Sequence, residues 1–257
     1  MPRQARVKSK TGIYHVIVRG ISQQNIFHDE EDFIRFLEML DRVKKTSGFK
    51  LYGYCLMNNH VHLLIHEFQD KLSLVMKRIG IGYAWWYNMK YQRSGHVFQD
   101  RYKSECVEDD TYLLTVTRYI HQNPVKAGMF TSPDQHRWSS CRVYYGESEY
   151  PKGLTDCTYI LEIFSNQCEK SKQSFKKFME VLSSDNCLDD CVQLRLSDED
   201  LLNEIVMLLA GRDVITLRQI GNQERDVMLG KMKAINGVTQ RQIARVTGLS
   251  PSLVFRA

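Results

Sequence analysis

Two imidazoles separated by one apolar residue, His60-Val61-His62 inside the run Asn58-Asn59-His60-Val61-His62-Leu63-Leu64-Ile65, are the side chains of this sequence most readily put to chemical use. On a strand, alternate side chains leave the same face, so the pair stands roughly 6.6 Å apart along the chain and can converge on one metal ion. The same spacing also suits a histidine that caps a hairpin beside a hydrogen-bonded core histidine. A metal site needs a third ligand, and covalent catalysis needs a nucleophile. Tyr119 and Asn123 offer both: on a helix they lie one turn apart on one stripe, a phenol beside an amide oxygen. The plainer account of that second pair is a half-buried tyrosine and an asparagine that ends a helix. His66 has the parity of His60 and His62 but lies ~13 Å beyond His62, too far to share an ion.

Local pattern says which elements must position these groups. Ile13 to Arg19 (IYHVIVR), alternating and β-branched between Gly12 and Gly20, predicts a first strand. Asp29-Glu30-Glu31-Asp32 opens a helix in which Phe33, Phe36, Leu37, Leu40 and Val43 recur at three- and four-residue steps, ending near Gly48. Phe49 to Met57 predicts a second strand, Asn58-Asn59 a two-residue turn that tolerates positive φ, and His60 to Glu67 the antiparallel return. Leu72 to Tyr91 predicts a helix whose aromatics (Tyr83, Trp85, Trp86, Tyr87, Tyr91) are mainly core. Val97 to Val107 predicts a further strand with Arg101 and Lys103 on one face, along which a phosphate backbone could lie. Asp109-Asp110 caps the helix that carries Tyr119, with Leu113, Val116 and Ile120 turned inward, and Pro124 predicts its end.

The whole chain bounds what these parts can do. Its 257 residues are enough for more than one domain, and no run of about 18 apolar residues is present to span a membrane. The basic segment Met1 to Lys10 has no apolar stretch behind it, so the expectation is a cytoplasmic protein. Seven cysteines at scattered positions (55, 106, 141, 157, 168, 187, 191) predict free thiols rather than a disulfide framework. The net charge of +5 is uneven: 21 Lys and Arg stand against 16 Asp and Glu in residues 1–150, 8 against 12 in 151–221, and 6 against 2 in 222–257. Two basic ends around an acidic middle fit a polyanionic partner touched at two places.

Taken together, Asn59 to Leu64 (NHVHLL), Gly95 to Lys103 (GHVFQDRYK), Arg118 to Gly128 (RYIHQNPVKAG) and Trp138-Ser139-Ser140 followed by Tyr144 resemble, in order and spacing, the single-tyrosine HUH transposases of IS200-like type. Within these the REP-associated tyrosine transposases are the nearest group, over roughly residues 10 to 146. The resemblance implies an α+β domain, a central antiparallel sheet with packed helices of the ferredoxin-like HUH kind, followed here by an all-α C-terminal region. It aligns His60 and His62 with metal-binding histidines, Tyr119 with the nucleophile, and Asn123 with the third side-chain ligand, often a glutamine in relatives. It implies Mg²⁺ or Mn²⁺ as cofactor, single-stranded DNA with hairpins as substrate, cleavage through a covalent phosphotyrosine, nucleoid association, and action as a monomer or homodimer. Arg3, Arg6, Arg19, Arg101 and Lys103 are the candidate DNA contacts of this part.

The expected domains are 1–149 for the transposase-like part, 150–221 for a helical linker and 222–257 for a helix-turn-helix-like module. In the last, Thr239 to Val246, Thr247-Gly248-Leu249 and Ser250-Pro251-Ser252 read as helix, glycine turn and capped second helix. Gln240 and Arg241, with Ser250, Ser252 and Arg256, could meet duplex DNA, while Ile243, Ala244, Leu249 and Val254 would pack inside; a small three-helix packing module is the competing account. Two other functions compete with strand transfer: a non-catalytic regulator that binds hairpin DNA, and an HUH replication initiator or relaxase.

Overall fold

The computed structural model describes residues 6–181, 187, 197–209, 212–235 and 238–256. Four antiparallel strands, β1 (Ile13–Arg19), β2 (Lys50–Met57), β3 (His60–His66) and β4 (Lys103–Cys106), form one sheet in the order β2-β3-β1-β4. On one face Tyr14, Val16, Val18, Val61, Leu63 and Ile65 pack against α1 (Glu30–Ser47) and α2 (Leu72–Lys90). On the other, Ile13, Cys55, Met57 and Leu64 pack with Leu113, Val116, Tyr119 and Ile120 of α3 (Asp110–Lys126). The α+β class expected for this part is the one observed.

This arrangement settles which way the histidines point. Val61, Leu63 and Ile65 are completely buried against α1 and α2. A one-residue slip of β3 would turn all three to the opposite face, at roughly 1.5–3 kcal/mol for each side chain that lost its burial. The register is therefore fixed, and His60 and His62 emerge on the α3 side.

α1 begins at Asp29, whose carboxylate accepts from the Asp32 amide, and ends at Gly48 in the left-handed region at φ 64°. Lys90 of α2 reaches Asp29 at 2.7 Å and Glu31 and Asp32 at 2.8 Å, tying the two helices together over the fully buried Asp32. α4 (Cys141–Tyr144), α5 (Thr158–Phe164) and α6 (Cys168–Glu180) extend the α3 side, where Phe175 stacks on Tyr144 with ring centres 4.4 Å apart.

Four expectations change. The hairpin turn is Asn58-Asn59, but neither residue has positive φ; its carbonyls instead accept from Ile26 and Phe27 (Asn58) and from Gly20 (Asn59), anchoring the turn to the loop after β1. The strand expected over 97–107 is confined to Lys103–Cys106: Ile17 pairs with Lys103, yet Phe98 bridges Gly20 and the Gln99 amide donates to Arg19, so two extra residues bulge out between them. α3 runs two residues past Pro124, and the chain beyond it is held by the Ala127 amide donating to the Asn123 carbonyl and the Met129 amide donating to the Pro124 carbonyl. The chain divides into two compact units, Met1–Leu188 and Asp189–Ala257, instead of at 149/150 and 221/222. α5 and α6 bury apolar faces in the first unit, so they are no separate linker.

In the second unit α7 (Asp198–Leu208), α8 (Asn222–Lys233), α9 (Gln240–Thr247) and α10 (Pro251–Arg256) enclose their own core, which includes Leu201, Ile205, Leu229, Met232, Ile243 and Val254. Gly248 joins α9 to α10 at φ 64°, and Ile243, Ala244, Leu249 and Val254 are buried as expected. No helix among the described residues is long and apolar enough to cross a membrane.

Candidate functional site

β3 presents His60 half-buried and His62 2% exposed, with ring centres 5.0 Å apart and planes nearly perpendicular. α3 lies over them and brings the Tyr119 ring to 5.8 Å from that of His62. These three groups, 59 residues apart at the widest from His60 to Tyr119, meet on one face of the sheet. Asn123, half-buried, follows Tyr119 by one helical turn.

The protonation of the imidazoles follows from their partners. His60 Nδ1 lies 2.6 Å from Asn59 Oδ1, an atom that can only accept, so His60 donates to it from Nδ1, and in the neutral ring the lone pair is on Nε2. Burial holds His62 well below the usual histidine range, helped by the neighbouring His15, His60 and Arg19, so it is neutral near pH 7. Neutral imidazole is the form that binds a metal.

Sequence reasoning missed three neighbours. His15 in the middle of β1 is completely buried, with Nε2 3.1 Å from His62 Nδ1 and its ring 5.9 Å from that of Tyr119. Glu105 in β4 is its cross-strand partner, with Oε2 3.8 Å from His15 Nδ1. Lys126 sets its ammonium 4.6 Å from the centre of the Tyr119 ring. The signal for His15 was present in the sequence as a lone imidazole in an apolar strand of the right parity. Lys126 also follows Tyr119 by seven residues, the same helical face two turns on.

Two imidazoles and an amide oxygen make a mixed nitrogen and oxygen donor set that suits Mn²⁺ and tolerates Mg²⁺. Among the described residues no group of three or more His, Cys, Asp or Glu side chains is arranged to hold a metal ion. Asn123 offers an amide oxygen, a donor outside those four types.

The candidate DNA contacts fall in different places. Arg19 is the cross-strand partner of His60, and Lys103 that of Ile17, so both lie on the His60 face of the sheet. Arg101, displaced by the bulge, lines a cavity of about 380 Å³ together with Arg6, Val18, Phe36, Phe98 and Tyr102. Arg101 and Lys103 thus do not share a face. Arg6 stacks its guanidinium 3.7 Å from the centre of the Tyr102 ring. Arg3 lies outside the described residues. In the second unit Arg241 is exposed, while Gln240 is half-buried with its Oε1 covered.

Two further histidines are held by hydroxyl groups. His66 Nδ1 lies 3.0 Å from the Tyr52 hydroxyl, at the far end of β3. His121 faces away from Tyr119 and lies 2.8 Å from Ser140 Oγ, and burial pushes its pKa down to about 3.

Residues 8–123 match the family model of the IS200-like transposases. No curated protein sequence matches the chain. Among solved structures, one of a REP-associated tyrosine transposase bound to a REP hairpin is 17% identical and covers 61% of this chain and 94% of its own, with a TM-score of 0.49. Another, of a candidate transposase from Deinococcus radiodurans R1, is 18% identical and covers 47% of this chain and 97% of its own, with a TM-score of 0.34. Neither likeness is close enough to carry an argument. The matched segment, a little under half of the chain, holds His15, His60, His62, Glu105, Tyr119 and Asn123, and over those residues the chain is similar to the IS200-like transposases.

Proposed function

We propose that the protein is a metal-dependent single-stranded DNA endonuclease and strand transferase that cuts beside DNA hairpins through a phosphotyrosine. The observation that carries this reading is the meeting of a phenol, Tyr119, with the His60 and His62 imidazoles on one face of the sheet. His60 Nε2, His62 Nε2 and the Asn123 amide oxygen would hold a divalent ion. When bound, that ion supplies Lewis-acid polarisation of the scissile phosphate.

The chain's own groups account for the rest. Tyr119 Oη attacks phosphorus; the Oη–P bond forms as the P–O3′ bond breaks, and the phenolic proton passes through solvent to the departing 3′ oxygen. The phosphotyrosine keeps the energy of the phosphodiester, so attack by a 3′-hydroxyl rejoins DNA without ATP or hydrolysis. A free phenol ionises near pH 10, and the Lys126 ammonium above the ring favours the phenoxide. Arg19 and Lys103 add positive charge on the same sheet face for the DNA backbone. Hairpin specificity is taken from the motif resemblance, and the α9–α10 pair is assigned to duplex DNA through Arg241.

The test is a denaturing gel with a pool of end-labelled single-stranded oligonucleotides that carry imperfect hairpins between random flanks, in Mn²⁺ or Mg²⁺. The expected result is a covalent protein–DNA adduct that EDTA prevents and that Tyr119→Phe abolishes while hairpin binding survives. An adduct of normal yield with Tyr119→Phe would discard the assignment.

A further inference from the structure

We propose that His15 and Glu105 are positioning residues that hold His62 in the tautomer whose Nε2 lone pair faces a divalent cation. The inference rests on reading His60 and His62 as metal ligands. His60 has its tautomer set by the adjacent Asn59 oxygen. His62 has no such amide; its Nδ1 meets another imidazole, His15 Nε2, at 3.1 Å. With both rings neutral, one hydrogen is shared between those two nitrogens, so two arrangements compete.

In the first, His62 Nδ1 donates to His15 Nε2. His15 then carries its own hydrogen on Nδ1, directed at the Glu105 carboxylate 3.8 Å away, and His62 Nε2 keeps a lone pair. In the second, His15 Nε2 donates to His62 Nδ1. His15 Nδ1 would then turn a lone pair toward a carboxylate, and His62 Nε2 would carry a hydrogen where a metal must sit. His15 is completely buried and the Glu105 side chain is 33% exposed, so the field of the carboxylate is only partly screened at the ring. Electrostatics therefore selects the first arrangement. β1 and its neighbours build the chain in register: His15 pairs with Glu105 across β4, and Ile17, two residues on, pairs with His62 across β3. Carboxylate, imidazole and metal-binding imidazole thus lie in sequence across three strands. Partners of this kind orient a ligand and raise its basicity, and their loss typically weakens metal binding by 10–100-fold.

Two measurements on the full-length protein test this. In metal-free protein labelled with ¹⁵N-histidine, two-bond ¹H–¹⁵N correlation spectra report the tautomer of His62, identified by the signals lost in His62→Gln. The expected result is a hydrogen on Nδ1 in the wild type and a shift toward Nε2 in Glu105→Ala. A wild-type hydrogen on Nε2, or no change in Glu105→Ala, overturns the proposal. Second, Mn²⁺ titration by calorimetry should show His15→Phe and Glu105→Ala binding about tenfold more weakly or worse. His15→Gln, whose amide oxygen still accepts from His62, should stay within about threefold of wild type, a rescue that simple loss of packing would not give. Equal affinity of wild type and a folded His15→Phe also overturns it; should His15→Phe not fold, Glu105→Ala carries the comparison. If Mn²⁺ binds His62→Gln as well as wild type, the metal reading of the histidine pair fails instead, and the tautomer spectra still decide the role of His15 and Glu105.

Discussion

Tyr119 is only 5% exposed, held between the His15 and His62 rings on one side and the Lys126 ammonium on the other. Under the proposed function, a nucleophile so enclosed is pre-positioned, and its reactivity depends on the charges around it. Lys126 is itself exposed, so its attraction to a developing phenoxide is screened and amounts to about 1 kcal/mol, not the several that a dry site would give. Lys126→Met is accordingly expected to slow single-turnover adduct formation about three- to tenfold while hairpin affinity changes little. A rate unchanged at every pH would remove Lys126 from the chemistry.

At the scale of elements, the sheet works as a two-sided board. β3 gives Val61, Leu63 and Ile65 to one core and His60 and His62 to the other side, and β1 gives Val16 and Val18 to the first and His15 and Arg19 to the second. Whatever fixes α1 and α2 on the first face therefore fixes the geometry of the second. The Lys90 clamp is the polar part of that anchoring. Asp32 is wholly buried, and removing its cation leaves a buried carboxylate without its charge partner, which costs about 3 kcal/mol. Lys90→Met should lower the unfolding free energy measured in urea by that amount, whereas Glu31→Gln, at a carboxylate that is 68% exposed, should shift stability by less than about 0.5 kcal/mol.

For the whole molecule, the buried histidines tie stability to pH. His62, His121 and His136 all have their pKa lowered by burial, His121 to about 3. A histidine depressed in the folded state binds fewer protons there than in the unfolded chain between the two pKa values. Its stabilising contribution is complete above the unfolded value of about 6.5 and is lost as pH falls toward the folded one. Within that window each such imidazole adds up to about 1.4 kcal/mol of lost stability per pH unit. Urea unfolding followed by tryptophan fluorescence should therefore show stability falling from pH 6.5 toward pH 4, and Ser140→Ala should not flatten the curve. A flat profile across that range would mean that the imidazoles are not buried as described. The three Trp residues all lie in the first unit, so the signal reports on the part that holds the site.

The sequence alone determined the site's outline. Period-two alternation put His60 and His62 on one face of a strand, their distance from His66 excluded a third histidine in line, and helical spacing paired Tyr119 with Asn123. Such local periodicities are set by backbone geometry and survive any packing. Tertiary structure alone decided what surrounds that outline. The bulge after Phe98 separates Arg101 from Lys103, because β1 ends at Arg19 and the neighbouring chain must shift register there. The helices after residue 150 join the first unit because Phe175 and its neighbours find apolar partners on α3 and α4. His15 and Glu105 reach His62 only through strand pairing across 47 and 43 residues of sequence, contacts that depend on strand order and register and leave no mark on local pattern.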